Sequence, residues 1–305
     1  MRVVVLGAAA GGGVPQWNCN CETCRVARDR HPELRATQAS IAVSADGEHW
    51  FLINASPDLR QQVIATPQLH PKAGQLRHSP IAGVILTNGE VDAVAGLLSL
   101  REGWPFTIYA HRRVLSILKS NSIFNVLDEK RVPRVSIEFD VAFEPKLSDG
   151  SPSGLEILPF VAPGKRAWYL EGESGIEDPG DTLGLRISDK QSGEHLYFLA
   201  ACAALTPELK QRLQGAPLIF FDGTLWRDDE LISAGLGSKT GRRMGHMAMS
   251  GEDGAIAALA DLGIVRKIFL HINNSNPVLR PGSAERQAAE RAGWQIPSDG
   301  VEITI

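Results

Sequence analysis

Long hydrophobic runs are missing from this sequence of 305 residues. No apolar stretch reaches the roughly 18 residues that a transmembrane helix needs. The N-terminal MRVVVLG is typical of a first β-strand and not of a secretory signal. A large excess of charge of one sign is missing as well, because 31 basic and 35 acidic residues give a net charge of only −4, and no Lys/Arg block occurs. Nucleic-acid binding therefore has no electrostatic support, and we expect a cytoplasmic protein without a membrane span.

Cysteine is scarce, and three of the four cysteines lie within six residues of one another. Cys19, Cys21 and Cys24 form this cluster, whereas Cys202 is far away in the sequence. In a chain without an export signal, such clustering favours a metal over disulfides. Zn²⁺ prefers four tetrahedral sulfur and nitrogen ligands in structural sites. The cluster predicts a structural zinc site whose fourth ligand comes from elsewhere; the alternative is three reduced thiols in a turn.

The overall composition, with 43% apolar and 22% charged residues, is typical of a globular protein. Short β-branched runs bounded by Gly, Pro, Asn or Asp predict strands at Val3–Leu6, Ser40–Ser44, Trp50–Asn54, Gly83–Thr87, Phe106–Ala110, Leu155–Phe160, Asp181–Ser188, His195–Ala200, Pro217–Asp222, Arg266–Ile272 and Val301–Ile305. Helical patterns lie between them, at Pro57–Thr66, Asp92–Arg101, Arg113–Ser120, Thr206–Gln214, Gly251–Leu262 and Ser283–Ala292. The mixture favours an α/β protein in which helices cover a mixed sheet system.

Three loops have unusual compositions. The GAAAGGG run at Gly7–Gly13 follows a strand, but no helix opens after it, so it lacks the features of a nucleotide-binding motif. We interpret it as a tight loop that brings the backbone close to another group. The acidic segment Glu171–Asp181 predicts an exposed loop. The segment Gly235–Gly245, with Lys239, Arg242 and Arg243, predicts either a mobile basic loop near a site or an ordinary surface loop.

Candidate functional residues follow the predicted strands. Glu90 and Asp92 come after the strand that ends at Thr87, where α/β folds collect functional groups. Asp92 could instead be a simple helix N-cap. His271 ends an apolar strand and could be either structural or a metal ligand. His246 and Asp222 have similar strand-end or loop placements, and four such groups on one chain favour convergence of some of them.

Several of these motifs together resemble a known family. They are VVVLGAAAGGGVPQWNCNCETC, FLINASPDLRQQ, TNGEVDAVAGLLSLREGWPF, FFDGT, GHM and FLHINNSNPVL. The chain resembles the PqqB family of pyrroloquinoline quinone (PQQ) biosynthesis proteins, which belongs to the metallo-β-lactamase fold superfamily. The resemblance extends over residues 1–305. It implies a single metallo-β-lactamase-like domain over this range, built as a four-layered αββα sandwich.

The resemblance also places the superfamily's metal-ligand positions on this chain. They fall on Asn88, Glu90, Asp92, Ala93, Gly164, Ala201 and His271. Most of these residues cannot bind a metal, so a dinuclear zinc hydrolase such as a phosphodiesterase or lactamase lacks its ligands.

The family's expected activity needs a different metal. The resemblance implies a mononuclear Fe²⁺ site at Glu90, Asp92 and His271. It also implies O₂-dependent hydroxylation of the tyrosine-derived ring of a cross-linked Glu-Tyr PQQ precursor. A ligand set of two histidines and one carboxylate suits this chemistry. The family carries histidine at the position of Ala93, so we expect impaired or absent catalysis unless the other ligands suffice. His246 could serve as a substitute ligand or as an acid/base.

The remaining expectations concern zinc and binding partners. Resemblance to a related cyclic phosphodiesterase of phosphonate metabolism places the fourth Zn²⁺ ligand at Asn274, although a water or another residue could take this role. The alternative function is a soluble carrier of PQQ or its precursor towards the periplasm, with Lys239, Arg242 and Arg243 meeting the ligand's carboxylates. Other PQQ-pathway proteins and a second copy of the chain are further possible partners.

Overall fold

The computed structural model describes residues 1–172 and 178–305. Within these residues, thirteen strands form two sheets. The strands are β1 (Arg2–Gly7), β2 (Ser40–Ser44), β3 (Trp50–Ile53), β4 (Ile81–Leu86), β5 (Thr107–His111), β6 (Arg134–Ile137), β7 (Leu155–Val161), β8 (Leu183–Asp189), β9 (His195–Leu199), β10 (Leu218–Asp222), β11 (Arg266–Leu270), β12 (Trp294–Gln295) and β13 (Glu302–Thr304). The helices are α1 (Glu22–Asp29), α2 (Leu59–Ala65), α3 (Val91–Val94), α4 (Arg112–Ser120), α5 (Pro207–Leu213), α6 (Glu230–Ser233), α7 (Ala255–Ala258) and α8 (Ala284–Arg291).

Both sheets are mixed. Among the described strands, the first sheet has the order β13-β1-β2-β3-β4-β5-β6 and the second has the order β12-β11-β10-β9-β8-β7. From β3 to β6 neighbouring strands are parallel, as they are from β9 to β12. The remaining pairs are antiparallel. Parallel strands leave their carboxyl ends at one edge of a sheet, and this edge carries the candidate site.

The alternation of side chains along the strands produces the layers. In β1, Val3 and Val5 belong to the apolar core between the sheets, whereas Val4 and Leu6 belong to the core beneath the helices. In β10, Phe220 faces the intersheet core and Phe221 faces the helices on the other side. Strands buried on both faces carry continuous apolar runs, which explains why most of the strands were predicted. The result is the predicted metallo-β-lactamase-like αββα sandwich.

Two predicted helices are shorter than expected. In place of a helix over Asp92–Arg101, α3 ends at Val94 and a 3₁₀ segment continues to Leu100. The Gly96 N–H donates to the Ala55 carbonyl at 2.8 Å, and this tertiary bond replaces part of the α-helical ladder. In place of Gly251–Leu262, only α7 forms, because Gly251 has a φ of 93° and the chain turns before Ala255.

The structure also contains elements that the sequence analysis missed, namely α1, α6, β6 and β12. The acidic loop prediction is only partly open to comparison, because residues 173–177 lie outside the described residues. Its end is not exposed: Asp181 is buried and accepts a hydrogen bond from Arg113 Nε at 2.8 Å. Every helix in residues 1–172 and 178–305 is too short or too polar to span a lipid bilayer.

Candidate metal centre

Four strand-end and loop residues converge beside the carboxyl ends of β4, β10 and β11. Asp92 lies in α3, which follows β4 after a short turn. Asp222 is the last residue of β10, and His271 directly follows β11. His246 directly follows the basic loop Gly235–Gly245. His271 has a φ of 58°, a conformation that costs energy for a non-glycine residue and that occurs preferentially at functional sites.

Asp92 and His271 form a close pair. His271 Nε2 lies 2.8 Å from Asp92 Oδ2, and both side chains are largely buried. Burial opposes ionisation of the Asp92 carboxyl, but the hydrogen bond and charge of His271 outweigh it and lower the pKa of Asp92. Burial likewise opposes protonation of His271, and the Asp92 carboxylate outweighs it and raises the pKa of His271. Asp92 is therefore not the N-cap considered from the sequence; Glu90 occupies that position.

Asp222 and Thr224 contact the Nδ1 atoms of the two imidazole rings. Asp222 is fully buried and its Oδ2 lies 2.7 Å from His246 Nδ1. Thr224 Oγ1 donates to Asp222 Oδ1 at 2.7 Å and lies 2.8 Å from His271 Nδ1 and 3.1 Å from His246 Nδ1. Each imidazole thus has its Nδ1 bound to a fixed oxygen. This network favours the Nδ1–H form of His246, which leaves a lone pair on Nε2.

The two imidazoles lie side by side. Their rings stack with centroids 5.0 Å apart and an interplanar angle of 22°. Ligand atoms of Asp222, His246 and His271 all lie within 4.8 Å of one another. Within residues 1–172 and 178–305, His246 Nε2 makes no hydrogen bond. A histidine held at one ring nitrogen by a carboxylate or hydroxyl, with the other nitrogen open, is typical of metal sites.

Glu90 lies beside this cluster but contacts other groups. Its Oε1 accepts from Lys165 Nζ at 3.1 Å and from the Trp168 backbone N–H at 3.0 Å. Tyr169 donates its hydroxyl to the neighbouring Gly89 carbonyl at 2.6 Å. The structure therefore places the predicted ligand Glu90 in an ion pair with Lys165, a residue that sequence reasoning did not single out.

The glycine loop forms a wall of the same site. A Cβ added to Gly11 would lie 3.5 Å from Asp92 Oδ2, so the loop backbone runs directly beside the carboxylate. Gly12 and Gly13 have φ values of 95° and 66°, which explains why glycine suits these positions. The interpretation of this run as a close backbone approach is confirmed at Gly7, where an added Cβ would lie 2.3 Å from the Gln38 carbonyl oxygen, while Gly11 brings the loop into ordinary contact with Asp92.

The three cysteines converge where α1 begins. The amide nitrogen of Asn274 lies 3.2 Å from Cys24 Sγ and 3.7 Å from Cys21 Sγ. The sulfurs of Cys19, Cys21 and Cys24 lie within 4.8 Å of one another. Burial raises the pKa of Cys24 to about 11; it opposes ionisation of Cys19 too, but hydrogen bonds from Cys21, Cys24 and Asn274 lower the pKa of Cys19. Asn274, one of the predicted candidates for the fourth ligand, therefore lies beside two of the three cysteines.

The basic loop places its three predicted ligand-binding residues differently. Lys239 Nζ lies 2.6 Å from Glu171 Oε2, and Glu171 in turn contacts Lys165. Arg242 makes a long, exposed ion pair of 3.4 Å with Asp253. Arg243 is exposed. Only Lys239 is therefore linked to the metal centre through described contacts.

Two of the groups that organise the site were missed from the sequence. Thr224 was visible only as part of FFDGT, and nothing in that motif indicates a hydroxyl shared by two histidines. Lys165 meets Glu90 across 75 positions of the chain, a separation that no local pattern encodes. The lysine does follow Gly164, one of the superfamily's ligand positions, and this adjacency was the available signal.

Comparison with known proteins gives concordant matches. A model of the beta-lactamase superfamily domain matches residues 49–272. Coenzyme PQQ synthesis protein B of Rhodopseudomonas palustris strain BisB5 is 71% identical over 309 residues, covering 100% of both chains. The protein of the same name from Bradyrhizobium diazoefficiens is 69% identical over 308 residues, again with full coverage of both.

Solved structures agree with this assignment. The crystal structure of Zn²⁺-bound PqqB from Methylobacterium extorquens is similar with a TM-score of 0.93 and 49% identity, covering 100% of both chains. A diphosphatase of the PhnP family has a TM-score of 0.68 at 20% identity, covering 100% of this chain and 97% of its own, and shows the fold alone.

Proposed function

The chain belongs to the coenzyme PQQ synthesis protein B family of the beta-lactamase superfamily, and we propose that it acts in PQQ synthesis as an Fe²⁺- and O₂-dependent hydroxylase. Its substrate in this proposal is the tyrosine-derived ring of a cross-linked Glu-Tyr precursor. The observation that carries the proposal is the largely buried pair of stacked imidazoles, His246 and His271, with Asp92 Oδ2 2.8 Å from His271 Nε2. Two histidines and a carboxylate with open positions form the ligand set typical of non-haem Fe²⁺ oxygenases.

The donor set fits a single metal ion. Asp92 Oδ2 and His271 Nε2 lie 2.8 Å apart and share a proton, so a metal ion bound at this point would take the place of that proton. His246 Nε2 makes no hydrogen bond in the described part of the chain. Asp92, His271 and His246 would therefore hold the ion, and bound Fe²⁺ with open positions would supply the activation of O₂.

The residues around the proposed ligands set their orientation and protonation. Asp222 accepts the Nδ1–H of His246 and so keeps the lone pair on Nε2. Thr224 can hold His271 at Nδ1 in a similar way, since its hydroxyl oxygen can accept the Nδ1–H while its proton goes to Asp222; the Nε2 proton that Asp92 accepts is then the one that a metal ion would displace. Partners of this kind fix the tautomer and rotation of metal-binding histidines. Glu90, bound to Lys165, contributes a negative charge at the edge of the site.

The thiol cluster has a separate role in this proposal. Cys19, Cys21 and Cys24 fit three of the four ligands of a structural Zn²⁺ ion. Rotation of the Asn274 amide would turn its Oδ1 towards the same point, because amide oxygen and nitrogen are interchangeable by a flip. The zinc named for the Methylobacterium extorquens structure supports zinc binding by this family. Such a site would stabilise the loop that carries Gly11, beside Asp92.

The alternative ligand positions do not favour a second metal ion in the centre. Asn88 uses its side-chain oxygen to accept the Glu90 N–H at 2.9 Å. Ala93 is buried in the apolar core beneath the helices. Gly164 and Ala201 have no ligating side chain. One reactive metal ion per chain is therefore the stoichiometry we expect.

The test is a metal count after anaerobic loading with Fe²⁺ and desalting, which resolves zinc from iron, followed by O₂ consumption with the Glu-Tyr precursor. We expect about one iron and one zinc per chain. The variant His246→Ala should lose iron, and His49→Ala, which removes an exposed imidazole, should not. Iron retained at full occupancy in His246→Ala would refute the ligand assignment.

Turnover decides between the enzyme and the carrier. O₂ consumption that depends on the precursor supports the hydroxylase. Tight binding of PQQ or its precursor with no O₂ consumption by the iron-loaded protein would overturn the hydroxylase proposal and support the soluble carrier. Cytoplasmic location, self-association and binding to other pathway proteins stay predictions.

A further inference from the structure

A chain of four charged side chains runs along the edge of the proposed iron site. Glu90 Oε1 lies 3.1 Å from Lys165 Nζ, and the same ammonium lies 3.2 Å from Glu171 Oε1. The other oxygen of Glu171 lies 2.6 Å from Lys239 Nζ. The carboxylate of Glu171 is thus bound between two ammonium groups.

Lys165 connects this arrangement to the metal centre. A Cβ added to Gly245 would lie 2.9 Å from Lys165 Cγ, so the lysine stem packs against the residue that precedes His246. Its ammonium reaches Glu90, which lies two residues before Asp92. The stem and head of Lys165 therefore contact segments adjoining two of the proposed iron ligands.

The Glu171 carboxylate, which lies between the ammonium groups of Lys165 and Lys239, can be displaced by another carboxylate. Its side chain is 37% exposed, and exposed ion pairs contribute little to stability because water and salt screen them. Glu90 is held by the Trp168 N–H in addition to Lys165. If a carboxylate of an incoming molecule took the place of Glu171, the two lysines would keep the same number of negative partners, and the displaced Glu171 carboxylate would be solvated by water.

We propose that Lys165 and Lys239 form a binding site for a carboxylate group of the substrate, and that Glu171 occupies it as an internal competitor in the ligand-free protein. This proposal builds on the proposed function, because it places a carboxylate-bearing substrate beside the metal centre. Binding at this site, however, requires neither iron nor turnover. Lys165 and Lys239 act here as substrate-binding residues.

Calorimetric titration of the purified full-length protein with isophthalate, an aromatic dicarboxylate, tests the site. Lys165→Met and Lys239→Met should each weaken binding about tenfold or more, because each removes a charge-assisted contact. Glu171→Gln should tighten it about fivefold, since a weak internal competitor is removed. Lys190→Met is the matched control, because it removes a lysine from an exposed pair with Glu144 and should leave binding unchanged. Neutral isophthalamide should not bind.

Two results would overturn the proposal: Glu171→Gln that binds isophthalate no more tightly than the parent, or lysine variants that bind as well as Lys190→Met. If Lys165→Met does not fold, Lys239→Met and Glu171→Gln still test the carboxylate site. Lys239 and Glu171 are partly exposed, so their replacement should not prevent folding. The two proposals fail separately. Isophthalate binding with the expected variant pattern but no O₂ consumption refutes only the hydroxylase. Normal turnover with an unchanged KM in both lysine variants refutes only the two-lysine site.

Discussion

Replacing Asp222 by asparagine should both destabilise the protein and weaken iron binding. The carboxylate is fully buried and accepts four hydrogen bonds. The donors are the Cys202 N–H at 2.9 Å, the Thr224 N–H at 3.0 Å, the Thr224 hydroxyl at 2.7 Å and His246 Nδ1 at 2.7 Å. Asp222 therefore links the strand that precedes Cys202 to both of the predicted histidine ligands.

The magnitude follows from what an asparagine amide can still accept. Its oxygen can keep the two bonds from Thr224, but its NH₂ group then faces two donors, the Cys202 N–H and His246 Nδ1–H. His246 can recover by shifting its proton to Nε2 and accepting from the amide. The Cys202 N–H stays unpaired in a buried position, which costs about 1–3 kcal/mol, and a charge-assisted bond becomes neutral. Together these losses give about 2–4 kcal/mol.

The shift of the His246 proton in Asp222→Asn also predicts weaker iron binding. A proton on Nε2 removes the lone pair that would bind the metal, so Fe²⁺ affinity should fall by about 10–100-fold. Urea unfolding of zinc-matched samples measures the free energy of unfolding, and anaerobic Fe²⁺ titration measures the affinity. Asp261→Asn, at an exposed carboxylate, is the control. A loss of stability below about 1 kcal/mol, the range of exposed ion pairs, with unchanged iron affinity, would refute the assigned network.

Three further predictions concern other parts of the molecule. Cys24→Ser should lower the zinc content by about one ion per chain, whereas Cys202→Ser should leave it unchanged; equal zinc in both would contradict a cysteine site. Gly96→Ala should lower the free energy of unfolding, measured with urea, by about 3 kcal/mol or more, because its Cβ would lie 2.0 Å from a backbone oxygen. Gly11→Ala is the control: its Cβ would make only a 3.5 Å contact, so the free energy of unfolding should hardly change. Burial raises the pKa of Asp299 to about 6, so the stability that its neutral form provides is complete below about pH 4 and lost as the pH rises through 6. Between pH 5 and 7, the parent protein should therefore lose about 1.4 kcal/mol relative to Asp299→Asn, and parallel pH profiles would contradict this.

Most strands could be predicted because they are buried on both faces. In β10 four of the five residues are apolar and in β11 the last three are, and the sequence shows both runs directly. The edge strand β6 was missed for the opposite reason, since two of its four residues are exposed and its sequence, RVSI, has no clear apolar run. Helix α1 was missed because it contains Cys24 and begins directly after Cys21, so the thiol pattern dominated the interpretation of that segment.

The sequence could predict those site residues that directly follow a buried strand. Asp92, Asp222 and His271 could be nominated because each follows a buried strand, and the carboxyl ends of such strands meet at one edge. Their pairing was not predictable, since the Asp92–His271 contact joins the two sheets across 179 positions. From the sequence, Asp92 could also be interpreted as a helix N-cap. In the structure Glu90 is the N-cap, and Asp92 contacts His271 instead.

The position of Ala93 shows why a ligand motif alone is a poor guide to this site. A missing histidine there argues against metal binding as long as ligands are counted along one segment of the chain. The structure brings in His246 from a loop more than 150 positions away, and Asp222 and Thr224 hold its ring parallel to that of His271. Because convergence in space and not spacing in sequence decides which donors share an ion, the two-histidine, one-carboxylate set can be complete although the local motif is not.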